Sequence, residues 1–184
     1  REQWSSVSIP FSSTSVAFDM PYKSWGFGAQ LLRDQSGSSN LSLTQLSFSI
    51  ARFVESWGFG LHLGFAQQKI DYSELYFLDA GEQIPSLSKG FMDIGLGVNN
   101  TLYISDSELK LAYSLAHLNK PDRSFYSNKD LLAVKHQLST VLQKPLTTQW
   151  SVEPFFYYAL QSKQAQCVLG SNLSFDISEY YYPE

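Results

Sequence analysis

Apolar and polar residues alternate along most of this chain, and the polar set has an unusual composition. Between Trp57 and Ala66 every second residue is large and apolar, and the residues between them are glycine, histidine or alanine. The same period of two recurs from Leu109 to Ala116. Because successive side chains of a strand point to opposite faces, this period predicts strands with two chemically distinct faces. The second face is small and polar rather than heavily charged, which favours a barrel with lipid outside and a polar interior.

The composition agrees with a barrel and disfavours several other classes of protein. Charged residues make up 16% of the 184 residues, whereas soluble domains usually have roughly 25%. The net charge of −4 offers no basic surface for nucleic acid. The single cysteine, Cys167, cannot form an internal disulfide. No zinc spacing, phosphate loop or nucleophile motif is present, so we expect no metal, no cofactor and no enzymatic activity.

Nine strands are predicted, and several are longer than the roughly five or six residues of globular strands. Such lengths suit a tilted membrane crossing, for which about 9–11 residues suffice. The predicted strands are 12–20, 25–33, 41–53, 57–69, 90–104, 108–118, 131–143, 147–160 and 164–178. Because bacterial single-chain barrels usually have an even number of strands, we expect 1–184 to form a single antiparallel outer-membrane barrel domain that is part of a longer barrel.

Short and long connections alternate along the predicted strands. The short connections are 21–24, 54–56, 105–107 and 144–146, and the long ones are 34–40, 70–89 and 119–130. Outer-membrane barrels show this asymmetry, with tight turns on the periplasmic side and longer loops outside. The connection 161–163 departs from the rule, because it is short where a long loop is expected.

Tryptophans and charges are sorted in the way that a membrane barrel requires. Trp25, Trp57 and Trp150 each follow a short connection, which predicts an aromatic girdle at one membrane interface. A charge that faces lipid at the bilayer midplane costs about 2–4 kcal/mol, so the charges on the polar face are predicted to face the lumen. These are Asp19, Asp93, Lys110, Lys135, Glu153 and Asp176. Arg52 and His136 are exceptions, because their positions fall on the apolar face.

Several short motifs, in the same order along nearly the whole chain, resemble those of the PorP/SprF family. They are Arg1-Glu2-Gln3-Trp4, Phe18-Asp19-Met20-Pro21, Trp25-Gly26-Phe27-Gly28, Ile70-Asp71-Tyr72-Ser73-Glu74-Leu75-Tyr76-Phe77, and His117-Leu118-Asn119-Lys120-Pro121 with Ser124-Phe125. The resemblance implies a non-enzymatic barrel in the outer membrane of a Gram-negative bacterium, associated with type IX secretion and gliding motility. Its implied partners are a secreted, adhesin-like cell-surface protein, which it helps to export or anchor, and other components of the secretion and gliding machinery.

Two long loops carry aromatic and apolar side chains that we predict to bind a partner. The residues are Tyr72, Leu75, Tyr76 and Phe77 in one loop, and Phe125 and Tyr126 in the other. Exposed aromatic residues within a polar rim are typical of protein interfaces. In the alternative interpretation, these loops fold back into the mouth of the barrel as a plug.

Two other functions stay open from the sequence. A porin or transporter for small solutes would use the charges of the polar face to line a path. A soluble β-sandwich or lipocalin-like binding protein would also show alternating strands, although it would usually carry more charged residues.

Overall fold

The computed structural model describes residues 2–3, 11–36, 41–72, 86–126 and 128–176. These residues form a single sheet of ten strands, in which each strand pairs antiparallel with its neighbour in the chain. The strands are β1 (Glu2–Gln3), β2 (Phe11–Tyr22), β3 (Trp25–Ser36), β4 (Leu41–Val54), β5 (Trp57–Ile70), β6 (Leu87–Ile104), β7 (Ser107–Ala116), β8 (Lys135–Pro145), β9 (Trp150–Gln161) and β10 (Gln164–Phe175).

The sheet confirms the predicted all-β, antiparallel barrel architecture. Nine of its strands have ten residues or more, and they curl into a half-barrel. The two-residue strand β1 was not predicted. A β-sandwich needs two packed sheets, whereas the described residues form one, so the sandwich alternative is wrong. No helix in the described part of the chain is long and apolar enough to cross a membrane.

The register of the strands separates the two faces of the sheet. Residues that pair across the strands lie on the same face, and one row crosses five strands on the polar face: Ala17, Gln30, Ser47, Gly64 and Asp93. The adjacent row is apolar: Phe18, Ala29, Phe48, Leu63 and Ile94. Asp93 is 3% exposed and Phe18 is 65% exposed. The curled sheet therefore buries part of its polar face, while large apolar side chains lie exposed on the other face.

The ends of β7 and β8 differ from the prediction. Strand β7 ends at Ala116 rather than at 118, and β8 begins at Lys135 rather than at 131. His117 has a positive φ of 60°, which takes the backbone out of strand geometry. Leu131 instead forms an isolated bridge with Asp122. Hydrogen bonds within the connection thus replace the ladder that the alternation alone predicted.

Four of the connections are two-residue turns with the same backbone geometry. Their first residues are Lys23, Glu55, Ser105 and Ser162, with φ values of 53°, 53°, 57° and 53°. The favoured two-residue hairpin turns need a positive φ at this position. Three of these turns and the connection 146–149 lie at one end of the sheet, called here the turn end. The strand ends that precede and follow the connections 37–40, 71–86 and 117–134 and the turn 162–163 lie at the opposite end of the sheet, called here the loop end.

Candidate functional site

The three tryptophans of the predicted girdle lie together at the turn end. Trp25, Trp57 and Trp150 are the first residues of β3, β5 and β9. The register places all three on the apolar face. Their side chains are between 39% and 48% exposed. The structure therefore brings them to one level of the outer wall, and their contact with lipid stays a prediction.

The predicted lumen charges share the polar face but differ in burial. Asp19, Lys110, Lys135 and Glu153 lie in strands on this face, in register mostly with small or polar partners and, for Lys110, also with Val141. Lys110 Nζ lies 3.1 Å from the carboxylate of Glu108. Asp176 follows the last residue of β10, and its backbone N–H donates to the carbonyl of Gln149. Only Asp93 of the six is buried, so these charges form no single cluster.

Asp93 is buried because the loop that follows β7 closes over it. The backbone N–H of His117 donates to Asp93 Oδ1 over 3.0 Å. Nδ1 of the same histidine lies 2.9 Å from that oxygen, although its alignment is not that of a hydrogen bond. The carboxylate therefore satisfies a backbone donor where the strand ladder stops, and it attaches the start of the loop to β6.

The side chain of Asn119 extends this attachment, because it bonds β6 backbone groups as the backbone of a neighbouring strand would. The backbone N–H of Ile94 donates to Asn119 Oδ1 over 3.2 Å, and Asn119 Nδ2 donates to the carbonyl of Met92 over 2.7 Å. Between them, the N–H of Leu118 donates to the carbonyl of Ile94. The backbone groups of β6 thus keep partners after β7 has ended, as buried or lipid-level backbone requires.

The rest of the β7–β8 loop, residues 117–134, folds as a small hairpin. Backbone bonds join Leu132 to Pro121 and Arg123 to Asp130, and the Arg123 side chain pairs with Asp130 at 3.2 Å. Asp122 Oδ1 accepts the backbone N–H groups of Ser124 and Asp130. The Ser124 bond is the main cause that lowers the pKa of Asp122. Because this pKa is lowered, the bonds contribute fully above the usual carboxyl pKa and are lost as the pH falls through the lowered value.

Two predicted partner-binding tyrosines meet at the loop end. Tyr126, near the tip of the β7–β8 loop, is 71% exposed, and Phe125 beside it is half-buried. Partial burial, and then the adjoining phenol of Tyr126, raise the pKa of Tyr72. Tyr72, just after β5, and Tyr126 therefore lie close enough to interact. Leu75, Tyr76 and Phe77 lie outside the described residues.

A cavity of about 240 Å³ lies between the polar face and the base of the β7–β8 loop. Its lining combines polar residues of the sheet and loop with apolar ones such as Phe91 and Leu132. Asp34 Oδ1, His117 Nδ1 and Arg123 Nε line it and are buried without a hydrogen-bond partner in the protein. A cavity of this size has room for water, which commonly bonds such groups. The base of the loop thus covers the inner face.

Sequence reasoning missed the roles of His117 and Asn119, although both lie in a motif that carries the family resemblance. It also treated Arg52 and His136 only as exceptions on the apolar face and did not identify their contacts. Nδ1 of His136 lies 2.7 Å from the hydroxyl of Tyr113, which shares that face, so the two polar groups satisfy each other. The guanidinium of Arg52 stacks over the ring of Trp25, with 4.9 Å from Cζ to the ring centroid. Both contacts join neighbouring strands, which a sequence does not reveal.

Among solved structures, the chain is similar to a porin with 11% identity and a TM-score of 0.45. The match covers 89% of this chain and 55% of the porin, so the chain spans little more than half the porin's length. No curated protein sequence matches the chain.

The comparison with protein families gives a match over nearly the whole chain. The family described as type IX secretion system membrane protein PorP/SprF matches residues 1–182. This agrees with the sheet, whose large apolar side chains lie exposed on one face, and it is a family of secretion-system components rather than of enzymes. The motifs quoted from the sequence, including the one that forms the β6 attachment, lie within the matched range. The chain belongs to the PorP/SprF family of type IX secretion system membrane proteins.

Proposed function

We propose that this chain is a non-enzymatic barrel of the outer membrane that helps to export or anchor a secreted, adhesin-like cell-surface protein. Membership of a secretion-system membrane family supports a role in protein export. In this proposal the cargo docks at the loop end, and other secretion or gliding components complete the assembly. Residues 1–184 act as one barrel domain within it.

One observation carries the proposal: the base of the β7–β8 loop is hydrogen-bonded to β6, and its tip carries an exposed aromatic side chain. We call this loop the platform. Side-chain bonds from Asp93 and Asn119 fix its base to β6, whereas Tyr126 remains 71% exposed. An aromatic side chain held on an ordered base loses little conformational freedom on binding, which suits an interface anchor. Tyr72 and Phe125 adjoin this tip, and we assign Leu75, Tyr76 and Phe77 of the neighbouring loop to the same surface.

Binding of the partner and covering of the lumen are assigned to different parts of the β7–β8 loop. Arg123 and Leu132, at its base, line the cavity against the polar face, whereas Tyr126 does not line it and is 71% exposed. We therefore propose that the base narrows the lumen and that the tip binds the partner. Of the predicted lumen charges Asp19, Asp93, Lys110, Lys135, Glu153 and Asp176, only Asp93 lines the cavity beneath this cover.

The orientation of the barrel follows from the same proposal. The apolar face contacts lipid, and Trp25, Trp57 and Trp150 form the interface girdle at the turn end. The turn end then faces the periplasm and the loop end faces the outside of the cell. This orientation places the platform where a secreted surface protein emerges.

The test compares two tyrosines of equal exposure at opposite ends of the sheet. Tyr126→Ala removes the tip of the platform, and Tyr103→Ala is the control, because Tyr103 is 76% exposed at the end of β6, at the turn end. Each variant is purified from detergent-solubilised outer membranes, and its companions are quantified by mass spectrometry. We expect Tyr126→Ala to lower recovery of the surface protein on the order of tenfold, as for an aromatic hot spot, and Tyr103→Ala to leave it unchanged.

Heat-modifiable migration on a gel shows first that both variants are folded barrels. Undiminished recovery with a folded Tyr126→Ala variant would overturn docking at this tip. The small-solute alternative makes a different prediction, because an open path gives conductance across planar bilayers. Steady conductance that is unchanged by Arg123→Ala would contradict a lumen narrowed by the loop base and would favour a porin.

A further inference from the structure

We propose that Lys23 and Arg52 form a binding site for the phosphate of an anionic lipid headgroup at the turn end of the sheet. The proposal rests on the proposed function in one respect, since it takes the apolar face to contact lipid. It adds a ligand to a part of the outer wall that is otherwise apolar.

The site begins with a row of three paired residues on the apolar face. Tyr22 pairs with Trp25 across the first hairpin, and Trp25 pairs with Arg52 of β4. Neighbouring strands are about 4.8 Å apart, so the three side chains lie side by side. Lys23 follows Tyr22 as the first residue of the turn. Two cations and two amphipathic rings therefore share one short stretch of the rim.

Contacts within the protein hold both cations in place. Arg52 Nη1 donates to the hydroxyl of Ser24, and its guanidinium lies over the ring of Trp25. Lys23 Nζ lies 5.5 Å from the centroid of the Tyr22 ring. Cation–π contacts leave hydrogen-bond donors directed away from the ring. A guanidinium has five N–H donors in a planar fork, which matches the oxygens of a phosphate.

The charge balance at this site favours an anion. Neither Lys23 nor Arg52 takes part in any of the four ion pairs that join described residues. Both side chains are exposed. Glu55, in the next turn, is the nearest acidic residue in the chain to Arg52, and it forms none of these pairs either. A cation on a lipid-facing wall is stable where it can reach the headgroup layer, and a lipid phosphate supplies its counter-charge there.

A lipid phosphate fits the position better than free phosphate does. The rings of Tyr22 and Trp25 flank the cations, and such amphipathic rings favour the headgroup level of a bilayer. An acyl chain attached to the phosphate could extend along the exposed apolar residues of the same wall, such as Phe27 and Phe59. Free phosphate would gain nothing from that wall.

The experiment measures which lipid the full chain retains. The protein is reconstituted in phosphatidylcholine vesicles with or without phosphatidylglycerol, extracted in mild detergent, and examined by native mass spectrometry. Arg52→Gln and Lys23→Gln remove the proposed charges, and Lys144→Gln is the matched control. Lys144 is an exposed cation at the end of β8, on the same face and at the same end of the sheet. Its removal changes the net charge equally but leaves the aromatic row intact.

We expect Arg52→Gln to lower retention of phosphatidylglycerol about fivefold, which corresponds to on the order of 1 kcal/mol for a basic residue at an anionic surface. Lys23→Gln should have a smaller effect, and Lys144→Gln should have none. Arg52→Lys should lie between the native protein and Arg52→Gln if the guanidinium fork contributes beyond its charge.

Three outcomes would overturn the proposal. An equal loss with Lys144→Gln would show only general attraction to the charged rim. Displacement of the lipid by inorganic phosphate would indicate a free-phosphate site. Unchanged retention of phosphatidylglycerol by a folded Arg52→Gln variant would show that Arg52 does not bind the lipid phosphate. If the native protein fails to show heat-modifiable insertion into vesicles, the proposed barrel function fails first, so the two failures are distinguishable.

Discussion

At the two ends of the sheet, the backbone groups at the strand ends obtain hydrogen-bond partners in different ways. At the turn end, three of the four connections are two-residue turns, in which the backbone itself closes the ladder with a positive φ at positions such as Glu55. At the loop end, β7 and β8 are separated by residues 117–134, and side chains complete the ladder. Asp93 and Asn119 bond backbone groups that no neighbouring strand reaches. The two-residue turns need only turn geometry, whereas the β7–β8 connection needs particular side chains.

This difference indicates where specificity resides in the molecule. Alternation and two-residue turns could produce many sheets of this kind with little constraint on residue identity. The β7–β8 loop depends on a buried carboxylate and an asparagine in fixed positions, and substitutions there should have local and distinctive effects. Substitutions at the turn end should instead act through backbone strain or through contact with the membrane.

The largest effect is expected for Asp93→Ala, which removes the attachment of the loop to β6. The His117 N–H loses its acceptor, and a buried donor without a partner costs about 1–3 kcal/mol. A loss of about 2 kcal/mol would speed hydrogen exchange of the amides at 117–119 about thirtyfold. Exchange measured by mass spectrometry on the reconstituted protein checks this. Asp93→Asn keeps an oxygen acceptor and should have a smaller effect.

Asp19→Ala is the control for this prediction, because Asp19 lies exposed on the same face. Its removal should leave exchange in the β7–β8 loop unchanged. Equal acceleration in both variants would mean that charge on the polar face, rather than the bond to His117, holds the loop. Unchanged exchange in Asp93→Ala would show that Asn119 alone is sufficient.

Most of the sheet could be predicted from the sequence, because period-two alternation depends on residues two positions apart. Strand β5 was predicted at 57–69 and lies at Trp57–Ile70. The short connections also carry a local signal, since a two-residue turn leaves little room between two alternating runs. The predicted placement of Asp19 and Glu153 on the polar face required only the parity of each strand.

The loop end could not be predicted in this way. The alternation around Leu131 and Leu132 resembles a strand, but a bridge to Asp122 and a bond to Pro121 draw both residues into the loop hairpin. The bond between Asn119 and β6 joins residues 25 and 27 positions apart. Such contacts depend on which strands are neighbours, and no local pattern encodes them. The motif containing Asn119 was recognised only as a resemblance.

A second prediction concerns the crowded inner wall, and it compares Gly95 on the polar face of β6 with Gly90 on its apolar face. A Cβ at Gly95 would lie 2.9 Å from the carbonyl oxygen of Leu115, whereas a Cβ at Gly90 would meet nothing nearer than 3.9 Å. We expect Gly95→Ala to destabilise the barrel by about 1–3 kcal/mol, as in other overpacked sites. Gly90→Ala should be neutral or stabilising by up to about 1 kcal/mol, because alanine restricts the unfolded chain.

Urea unfolding of the reconstituted protein, followed by tryptophan fluorescence, measures this difference. Equal stabilities of the two variants would contradict a closely packed polar face next to β7. A large loss in Gly90→Ala would show instead that the loop end of β6 has less space than its exposed position indicates. Either result would show how packing of the sheet affects stability, independently of the bonds that attach the β7–β8 loop to β6.

The smallest effect is expected at the turn end, where only backbone geometry is at stake. Glu55 has a φ of 53°, and a residue with a Cβ pays about 1 kcal/mol or more in this region. Glu55→Gly removes that strain but adds freedom to the unfolded chain, so a net gain of about 0.5 kcal/mol is expected. Ser56→Gly, at the second position of the same turn, has no such strain to relieve and should destabilise by a similar amount. The same unfolding experiment checks both signs. If the two substitutions shift stability in the same direction, the positive φ of Glu55 does not determine the stability of this turn. The contrast between turns closed by backbone geometry and a loop held by side chains would then not hold.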